Sequence, residues 1–309
     1  MPNRPCVVVG LPVYNGENYL RAAIESVLAQ TFTDFRLVIS DNASTDATPE
    51  ICQEYVKQDD RVVYYRQPEN IGGAPNFNYL FNHHVGDSPY FRWQAHDDTI
   101  EPMFLRRCVD LLETNRTLAI AHCRAKNINE HGVQMGTYDY EVRLNADAPS
   151  DRFWRLLWAG YFTEVFGLMR SDLVRRTKLQ GSFAGGDRNF LAEMLLQGNV
   201  GYVEEYLFAR RDHPDCYCRL QNVAAKNAWF DPKIKNVRSL GAIKAKTYLS
   251  AIARLPMPMS EKVRCVRMLT EWTLRRGIES ATGAGEQFGE KFRREFAGDR
   301  DWTNDTQSV

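Results

Sequence analysis

The chain has 309 residues, of which 44% are hydrophobic and 25% charged, and this composition excludes a largely disordered protein. Its 39 Lys and Arg residues balance 39 Asp and Glu residues, so no overall basic charge favours nucleic acid as a partner. No apolar run approaches the roughly 18 residues of a membrane-spanning helix, and no apolar leader precedes the first strand. Because the cysteines are also scattered, we expect a cytoplasmic protein with reduced thiols.

The first part of the chain alternates short apolar runs with amphipathic segments. We expect strands at residues 7–13, 35–40, 61–66, 90–96 and 118–123, where the runs are short and rich in β-branched or aromatic side chains. Apolar residues at helical spacing lie between these runs, for example in a helix that begins near Thr48 with Pro49 in its first turn. Such alternation predicts an α/β fold with a mostly parallel sheet and helices on both faces.

Polar residues stand where four of these strands end. The clusters are Tyr14-Asn15, Asp41-Asn42, Asn70-Gly72 and Asp97-Asp98. In open α/β sheets, ligands bind outside the carboxyl ends of the strands. A purely structural protein has little reason to line that edge with acids and amides, so the sequence predicts a binding site there.

The adjacent carboxylates Asp97 and Asp98 repel each other unless a cation lies beside them. Mg²⁺ or Mn²⁺ suits such a pair, because these ions bind through one or two carboxylates together with substrate phosphates. Alone, the pair is better interpreted as a helix N-cap before residues 100–102. Its place on the same sheet edge as the other three clusters favours the metal site.

The pattern changes after about residue 130. Residues 139–150 are polar and predict a loop, and the aromatic region 154–166 predicts core, with an acceptor contact as the alternative for one or two of its residues. Helices are expected at 243–252 and 263–272. By default these helices cap the sheet, and a peripheral contact with the inner face of the membrane or a homodimer are the alternatives.

Four stretches together resemble a family-2 inverting glycosyltransferase of the GT-A fold. They are Pro12-Val13-Tyr14-Asn15, the loop at 40–46, Asn70-Ile71-Gly72 and Ala95-His96-Asp97-Asp98. Their order and spacing agree over residues 5 to about 115, and a weaker match continues to about 215. The resemblance implies a GT-A domain at 1–228, with a nucleotide-binding half at 1–115 and an acceptor-side half at 116–228, followed by a C-terminal helical region at 229–309.

The resemblance also implies a nucleotide-diphospho-sugar donor and a Mn²⁺ or Mg²⁺ ion. A UDP-sugar is the expected donor, with GDP- and dTDP-sugars as alternatives. Tyr14 would stack on the base, Asp41 would accept its N–H protons, and Asp97 would bind the ribose hydroxyls. The implied nucleotide-binding residues are Pro12, Tyr14, Asn15, Glu17, Asp41, Asn70, Gly72, Asp97 and Arg211, and the implied metal ligands are Asp98, Asp97 and His213.

Inverting transfer needs a general base for the acceptor hydroxyl. The family places an acid at a helix N-terminus after a Gly-rich turn, and Asp187 after Gly185 and Gly186 fits that pattern, with a plain N-cap as the alternative. Farther on, Arg211 and His213 resemble the family's Arg-x-His segment. Arg211 would contact phosphate, and His213 is either a further metal ligand or a structural histidine.

Three features depart from the family pattern. Ala95 stands where an acid is often found, Asn76 and Asn78 occupy the region of a frequent arginine, and Gly186 replaces the Glu of a common Glu-Asp pair. These departures leave room for a nucleotide- or sugar-binding module on a degenerate transferase scaffold.

The other rival is a nucleotidyltransferase, for which the segment 14–17 lacks a Gly-, Lys- and Arg-rich phosphate loop. We therefore expect transfer of a sugar to a glycan or lipid-linked acceptor in bacterial surface polysaccharide synthesis. That acceptor class comes from the family and not from any residue of this chain.

Overall fold

The computed structural model describes residues 5–138, 143–220, 222–233 and 240–282. The predicted loop at 139–150 lies partly outside these ranges, and residues 283–309 of the predicted C-terminal region lie wholly outside them. In the described part of the chain, each helix is too short or too polar to cross a membrane.

The strands form one mixed sheet. They are β1 (Val7–Val13), β2 (Phe35–Asp41), β3 (Val62–Arg66), β4 (Tyr90–Trp93), β5 (Thr99–Ile100), β6 (Leu118–Ile128), β7 (Gln134–Tyr138), β8 (Leu168–Arg170) and β9 (Asn199–Arg211). Their order is β3-β2-β1-β4-β8-β6-β9-β5, with β7 beside β6. The first four strands of this order pair in parallel, as predicted. Beyond them the sheet is mixed, because β8 runs antiparallel to both β4 and β6 while β6 and β9 are parallel.

The helices cover both faces, which confirms the α/β class. They are α1 (Leu20–Leu28), α2 (Thr48–Gln58), α3 (Gly73–His84), α4 (Phe104–Thr114), α5 (Pro149–Trp158), α6 (Ser171–Val174), α7 (Gly186–Gln197), α8 (Val223–Phe230), α9 (Leu240–Arg254) and α10 (Met259–Thr282). Alternate residues of β1 point to opposite faces: Val8 joins the core beneath α3, whereas Val7 and Val9 join the core beneath α1 and α4.

The C-terminal helices cover the core on one face. On α9, Tyr248 and Ile252 are buried, and on α10 Cys265 and Leu269 are buried, all in the same cluster as Phe153 of α5. α9 packs against α7, which carries Asp187, and α10 packs against α5. The boundary predicted at residue 228 falls within α8 and stays a prediction.

The acidic pair does not end a strand, and it does not cap a helix. The predicted strand at 90–96 stops at Trp93, and α4 begins only at Phe104. Between them the side chain of Gln94 donates to the backbone carbonyls of Ala95 (3.0 Å) and Asp98 (2.8 Å). These bonds fold the chain into a tight turn, so Asp97 and Asp98 lie in the connection between β4 and β5.

The thiols differ from expectation at one position. Free thiols are found at Cys6, Cys52, Cys108, Cys123 and Cys265. Cys216 is disulfide-bonded, so the expectation of reduced thiols throughout is wrong there. Burial raises the pKa of the Cys52 thiol to about 12, and a thiol held protonated in this way is a poor nucleophile.

Candidate active site

A cavity of about 1020 Å³ opens at the carboxyl ends of β1, β2 and β4. Most of the residues singled out in the sequence line it. They are Pro12, Tyr14, Asn15, Asn70, Asp97, Asp98, Asp187, Arg211 and His213. The register explains this convergence, because Val13 of β1 is paired with Asp41 of β2 and the loops that follow both strands start at one level.

Three of the predicted nucleotide-binding residues, Glu17, Asp41 and Gly72, do not line the cavity. Asp41 is fully buried, its Oδ1 accepts from Ser44 N (2.8 Å), and its Oδ2 accepts from the Tyr64 hydroxyl (2.8 Å). Glu17 accepts a hydrogen bond from the backbone of the neighbouring loop. In the geometry observed, Asp41 and Glu17 hold the loops in place.

Asn15 locks the first loop onto the second. Its backbone N–H donates to Ser44 Oγ (2.9 Å), and its side-chain oxygen accepts from Thr45 N (2.9 Å). Asn15 itself has a φ of 50°, in the left-handed region that asparagine tolerates better than most residues. This arrangement presents Tyr14 at the mouth of the cavity with 44% of its surface exposed, where an aromatic ring is free to stack on a nucleobase.

The turn at Asn70–Gly73 is built around Asn70 and packed tightly. Asn70 Oδ1 accepts from Asn42 Nδ2 and from Gly72 N, both at 2.9 Å. Gly72 has a φ of +93°, and a Cβ on it would lie 2.7 Å from the carbonyl oxygen of Phe230. A side chain at this position is therefore excluded both by backbone conformation and by the end of α8.

The acidic pair and the end of β9 form one cluster. Asp98 Oδ1 accepts from Arg211 N (2.8 Å), Arg211 Nε donates to the carbonyl of Asp97 (2.8 Å), and His213 Nε2 lies 3.0 Å from Asp97 Oδ2. Burial, reinforced by the neighbouring Asp97 carboxylate, raises the pKa of Asp98 well above its usual range. Burial also acts to raise the pKa of Asp97, but the charge of His96 and the hydrogen bond from His213 outweigh it and the pKa falls.

This cluster fits a divalent cation that is completed by substrate oxygens. The repulsion between Asp97 and Asp98 is what a cation beside them would relieve. Within the described ranges, no group of three or more His, Cys, Asp or Glu side chains converges as an all-protein metal site. Asp97 and Asp98 could therefore supply ligands for Mg²⁺ or Mn²⁺, with phosphate and water oxygens as the remainder. His213 is engaged with Asp97, and its buried Nδ1 makes no hydrogen bond to the described residues.

A buried arginine beneath the pair was not anticipated from the sequence. Arg92 is fully buried, donates to Gln94 Oε1 (2.7 Å), and lies 4.5 Å above the ring of Phe104. Gln94 in turn holds the Asp98 carbonyl, so the arginine positions the acidic turn from below. Polar residues alternating with aromatic ones along 90–94 were the available signal.

Asp187 lies in the first turn of α7 but does not cap it. The N-cap position is Gly185, which has a φ of +89° and makes no side-chain bond, and Asp187 Oδ1 accepts from Arg188 N (2.8 Å). Burial raises the pKa of Asp187, although the charges of Arg188 and Lys244 act to lower it. A carboxylate with a raised pKa that lines a cavity suits a general base.

Residues beyond 215 line the cavity and were missed by the sequence argument. Trp229, Phe230 and Lys244 come from α8 and α9. The Trp229 ring packs on Gly73 and lies 6.3 Å from the ring of Phe77, and Asn227 accepts from Ala184 N (2.9 Å) next to the Asp187 turn. Nothing in the local sequence indicates these distant contacts.

Part of the aromatic region predicted at 154–166 lines the cavity as well. Tyr161 is 38% exposed and lies 4.8 Å beneath the guanidinium of Arg210. Phe162 lies 4.8 Å from the guanidinium of Arg188. Val165 and Phe166 also line the cavity, whereas Leu157 and Trp158 are core as expected.

A family model described as Glycosyl transferase family 2 matches residues 8–177, more than half of the chain. The chain belongs to glycosyl transferase family 2. Putative glycosyltransferase EpsH of Bacillus subtilis is 25% identical over 211 residues, which cover 68% of this chain and 56% of the relative. The uncharacterized glycosyltransferase RT0329 of Rickettsia typhi is 35% identical over 108 residues, covering 35% of this chain and 32% of the relative. The chain thus spans about a third to about half the length of these relatives.

Two solved structures have the same fold. TarS 1–349 of S. aureus in complex with UDP-GlcNAc gives a TM-score of 0.56 at 16% identity, covering 86% of this chain and 80% of TarS. The mannosyltransferase PcManGT of Pyrobaculum calidifontis in complex with GDP-Man and Mn²⁺ gives 0.52 at 13% identity, covering 95% of this chain and 83% of that protein. At such identities the likeness concerns the fold alone, and the GT-A fold predicted from the sequence is confirmed.

Proposed function

We propose that this member of family 2 is a metal-dependent inverting glycosyltransferase that moves a sugar from a nucleotide-diphosphate donor to a glycan or lipid-linked acceptor. The observation that carries the proposal is the convergence of the Asp97–Asp98 pair, Arg211 and Asp187 on one cavity. The bound UDP-GlcNAc in TarS and the bound GDP-Man and Mn²⁺ in PcManGT support the donor class and the metal.

The donor binds at the carboxyl ends of β1 and β2. Tyr14 stacks on the base, Asn70 and Asn15 flank it, and Asp97 binds the ribose. Asp41 stays a predicted contact to the base, since a carboxylate oxygen that already accepts one hydrogen bond can accept a second. A UDP-sugar is the proposed donor, with GDP- and dTDP-sugars as alternatives.

The diphosphate lies beside the acidic turn and Arg211. A Mn²⁺ or Mg²⁺ ion held by Asp98 and Asp97 would neutralise negative charge on the departing diphosphate. Arg211 adds a positive charge, and its guanidinium is held by the carbonyls of Asp97 and Asn129, to which it donates. Preorganised charge of this kind favours departure of the leaving group.

Asp187 acts as the general base. It takes the proton of the acceptor hydroxyl while that oxygen bonds to the anomeric carbon of the sugar. The bond from that carbon to the diphosphate oxygen breaks at the same time, and the nucleoside diphosphate leaves with the electron pair. A single displacement of this kind inverts the configuration at the anomeric carbon.

The acceptor belongs to surface polysaccharide synthesis, and the chain works at the inner face of the membrane through its C-terminal helices. Together α9 and α10 carry eight Lys and Arg residues against three Glu. Along α10, Met259, Val263 and Leu274 are 72%, 62% and 63% exposed. An apolar stripe flanked by basic residues suits an anionic lipid surface, with a homodimer as the competing use.

Calorimetric titration of UDP and of GDP in the presence of Mn²⁺ tests the donor site. Asp98→Asn keeps an acceptor for Arg211 N but removes the charge, so we expect the Mn²⁺-dependent affinity to fall at least about tenfold while metal-free binding is unchanged. Asp110→Asn on the exposed face of α4 is the matched control. The proposal fails if neither nucleotide binds with Mn²⁺, or if Asp98→Asn behaves like the control.

A further inference from the structure

A lysine from the C-terminal helices lies near Asp187 in the cavity. The ammonium nitrogen of Lys244, on α9, lies 2.8 Å from the position that a Cβ on Gly185 would occupy. Its side chain is partly buried and lines the same cavity as Asp187. Among the described residues, no carboxylate lies within ion-pair distance of this ammonium group, and it makes no side-chain hydrogen bond.

A second cation, Arg188, lies near Lys244. Arg188 donates to the carbonyls of Leu156 (2.6 Å) and Ala159 (2.7 Å), and among the described residues it makes no ion pair. Burial and the charge of Arg188 both lower the pKa of Lys244, and the charge of Asp187 only partly opposes them. Holding a cation out of water next to a second cation is unfavourable unless an anion joins them.

A second lysine faces the same space. Lys226 of α8 also lines the cavity and makes no ion pair within the described ranges. Both lysines lie outside residues 8–177, the range that the family model matches. The acidic turn and Arg211, beside which the donor diphosphate is proposed to lie, come from other elements, namely the β4–β5 connection and the end of β9.

We propose that Lys244, with Lys226 as a second cation, binds an oxyanion of the substrate on the Asp187 side of the cavity. The anion is a phosphate ester or a carboxylate, carried either by the acceptor or by the transferred sugar. This inference rests on the proposed function, because it takes Asp187 as the base that meets the acceptor. Lys244 is then a specificity-determining residue that selects a charged substrate over its neutral analogue.

Inorganic phosphate is the probe for the first test. It is titrated into the protein saturated with UDP and Mg²⁺, for wild type, Lys244→Gln and Lys244→Arg, with Lys246→Gln on the exposed face of α9 as the control. Loss of one charge-assisted hydrogen bond corresponds to about a tenfold or larger loss of affinity. We expect that loss for Lys244→Gln, little change for Lys244→Arg and none for Lys246→Gln.

Matched substrates separate the two sources of the anion. One glycan is offered on a lipid diphosphate and on a neutral lipid glycoside, and UDP-glucuronate is compared with UDP-glucose as donor. We expect wild type to prefer the charged member of one pair at least about tenfold in kcat/KM, and Lys244→Gln to abolish most of that preference. The pair that responds identifies the molecule that carries the anion.

Several results would overturn the inference without touching the proposed function. UDP affinity should be unchanged in Lys244→Gln, and an equal loss of UDP affinity would assign the lysine to the donor diphosphate. A variant that shifts only the pH profile of transfer, with phosphate affinity intact, would make Lys244 a charge partner of Asp187. Wild type that binds UDP but not phosphate, and shows no charge preference, rules the site out. Failure to bind UDP at all would instead count against the proposed function.

Discussion

The glycine pair before Asp187 shows how a departure from a family motif follows from one close contact. A Cβ on Gly186 would lie 1.9 Å from the carbonyl oxygen of Gly181, so the Glu-Asp version of the motif cannot be accommodated on this backbone. Gly185, with its positive φ, completes the turn. The missing glutamate therefore reflects how the preceding loop packs, and it does not indicate a decayed site.

Asp187→Asn should lower transfer by about two to four orders of magnitude, because the amide cannot take the acceptor proton. UDP affinity should stay nearly unchanged, since the donor contacts lie on other elements. Burial raises the pKa of Asp187, so wild-type transfer should decline as pH falls through that raised value and the base becomes protonated. Initial rates measure transfer and its pH dependence, and calorimetry measures UDP affinity. The control is Asp172→Asn, at an exposed position of α6. A fully active Asp187→Asn enzyme would mean that another residue is the base.

Residue identity alone located most of the site but not the direction of each side chain. The order of motifs along parallel strands places their ends at one edge, and this was readable from the sequence. Whether Asp41 faces the cavity or its own loop depends on Ser44 and Tyr64, which satisfy both of its oxygens. Lys244 could not be predicted, because its neighbour Gly185 is distant in the chain.

At the scale of elements, the segment between α5 and β8 carries a buried polar network under the cavity. Glu164 Oε1 accepts from the Tyr202 hydroxyl (2.7 Å), and Thr163 Oγ1 lies 3.0 Å from His122 Nε2. Next to them, Val165 and Phe166 form part of the cavity wall. In sequence this glutamate is one acid among aromatic residues, so the pattern of apolar residues does not reveal that it is fully buried.

Burial raises the pKa of Glu164 to about 7, and this gives a stability prediction. Because the folded-state pKa lies above the unfolded one, the protonated group stabilises the fold below about pH 4.5, and this stability is lost as pH rises towards 7. The shift corresponds to about 3 kcal/mol. In urea unfolding, the free energy of unfolding of Glu164→Gln should therefore rise relative to that of wild type by up to that amount between pH 4.5 and 7. The control is Glu50→Gln, at an exposed position of α2, whose free energy of unfolding should depend on pH as that of wild type does. The same pH dependence in Glu164→Gln and wild type would contradict the prediction.

Most of the first half of the molecule was predictable from the sequence, and in the second half the expected helices at 243–252 and 263–272 are found within α9 and α10. Residues 5–115 contain long, regular strands and helices whose periodicity identifies them. The two shortest strands are the exception: β5 has two residues and β8 has three, and both are defined by partners far away in the chain. Pairing of such short strands is set by long-range packing, so local sequence could not indicate the antiparallel part of the sheet.

The membrane contact is tested on the intact chain, because α9 and α10 contribute Tyr248 and Leu269 to the core and their removal would expose it. A triple change to serine at the exposed positions Met259, Val263 and Leu274 leaves that core intact. We expect wild type to co-sediment with vesicles rich in phosphatidylglycerol and the triple variant to bind several-fold less. If the wild-type protein stays in the supernatant, the membrane contact is contradicted. If wild type forms a concentration-dependent dimer and the triple variant does not, the apolar stripe serves self-association.

The packing of Gly72 against Phe230 bears on how such proteins diversify. The turn at 70–73 lies within the range that the family model matches, whereas the end of α8 lies beyond residue 177, where that match ends. The turn and the segment 230–232 therefore constrain each other, since a side chain at position 72 would require that segment to move away. A chimera that joins this N-terminal half to the C-terminal part of another family member must therefore keep the same close packing against Gly72. The absence of a side chain at position 72 thus limits which C-terminal parts can be exchanged.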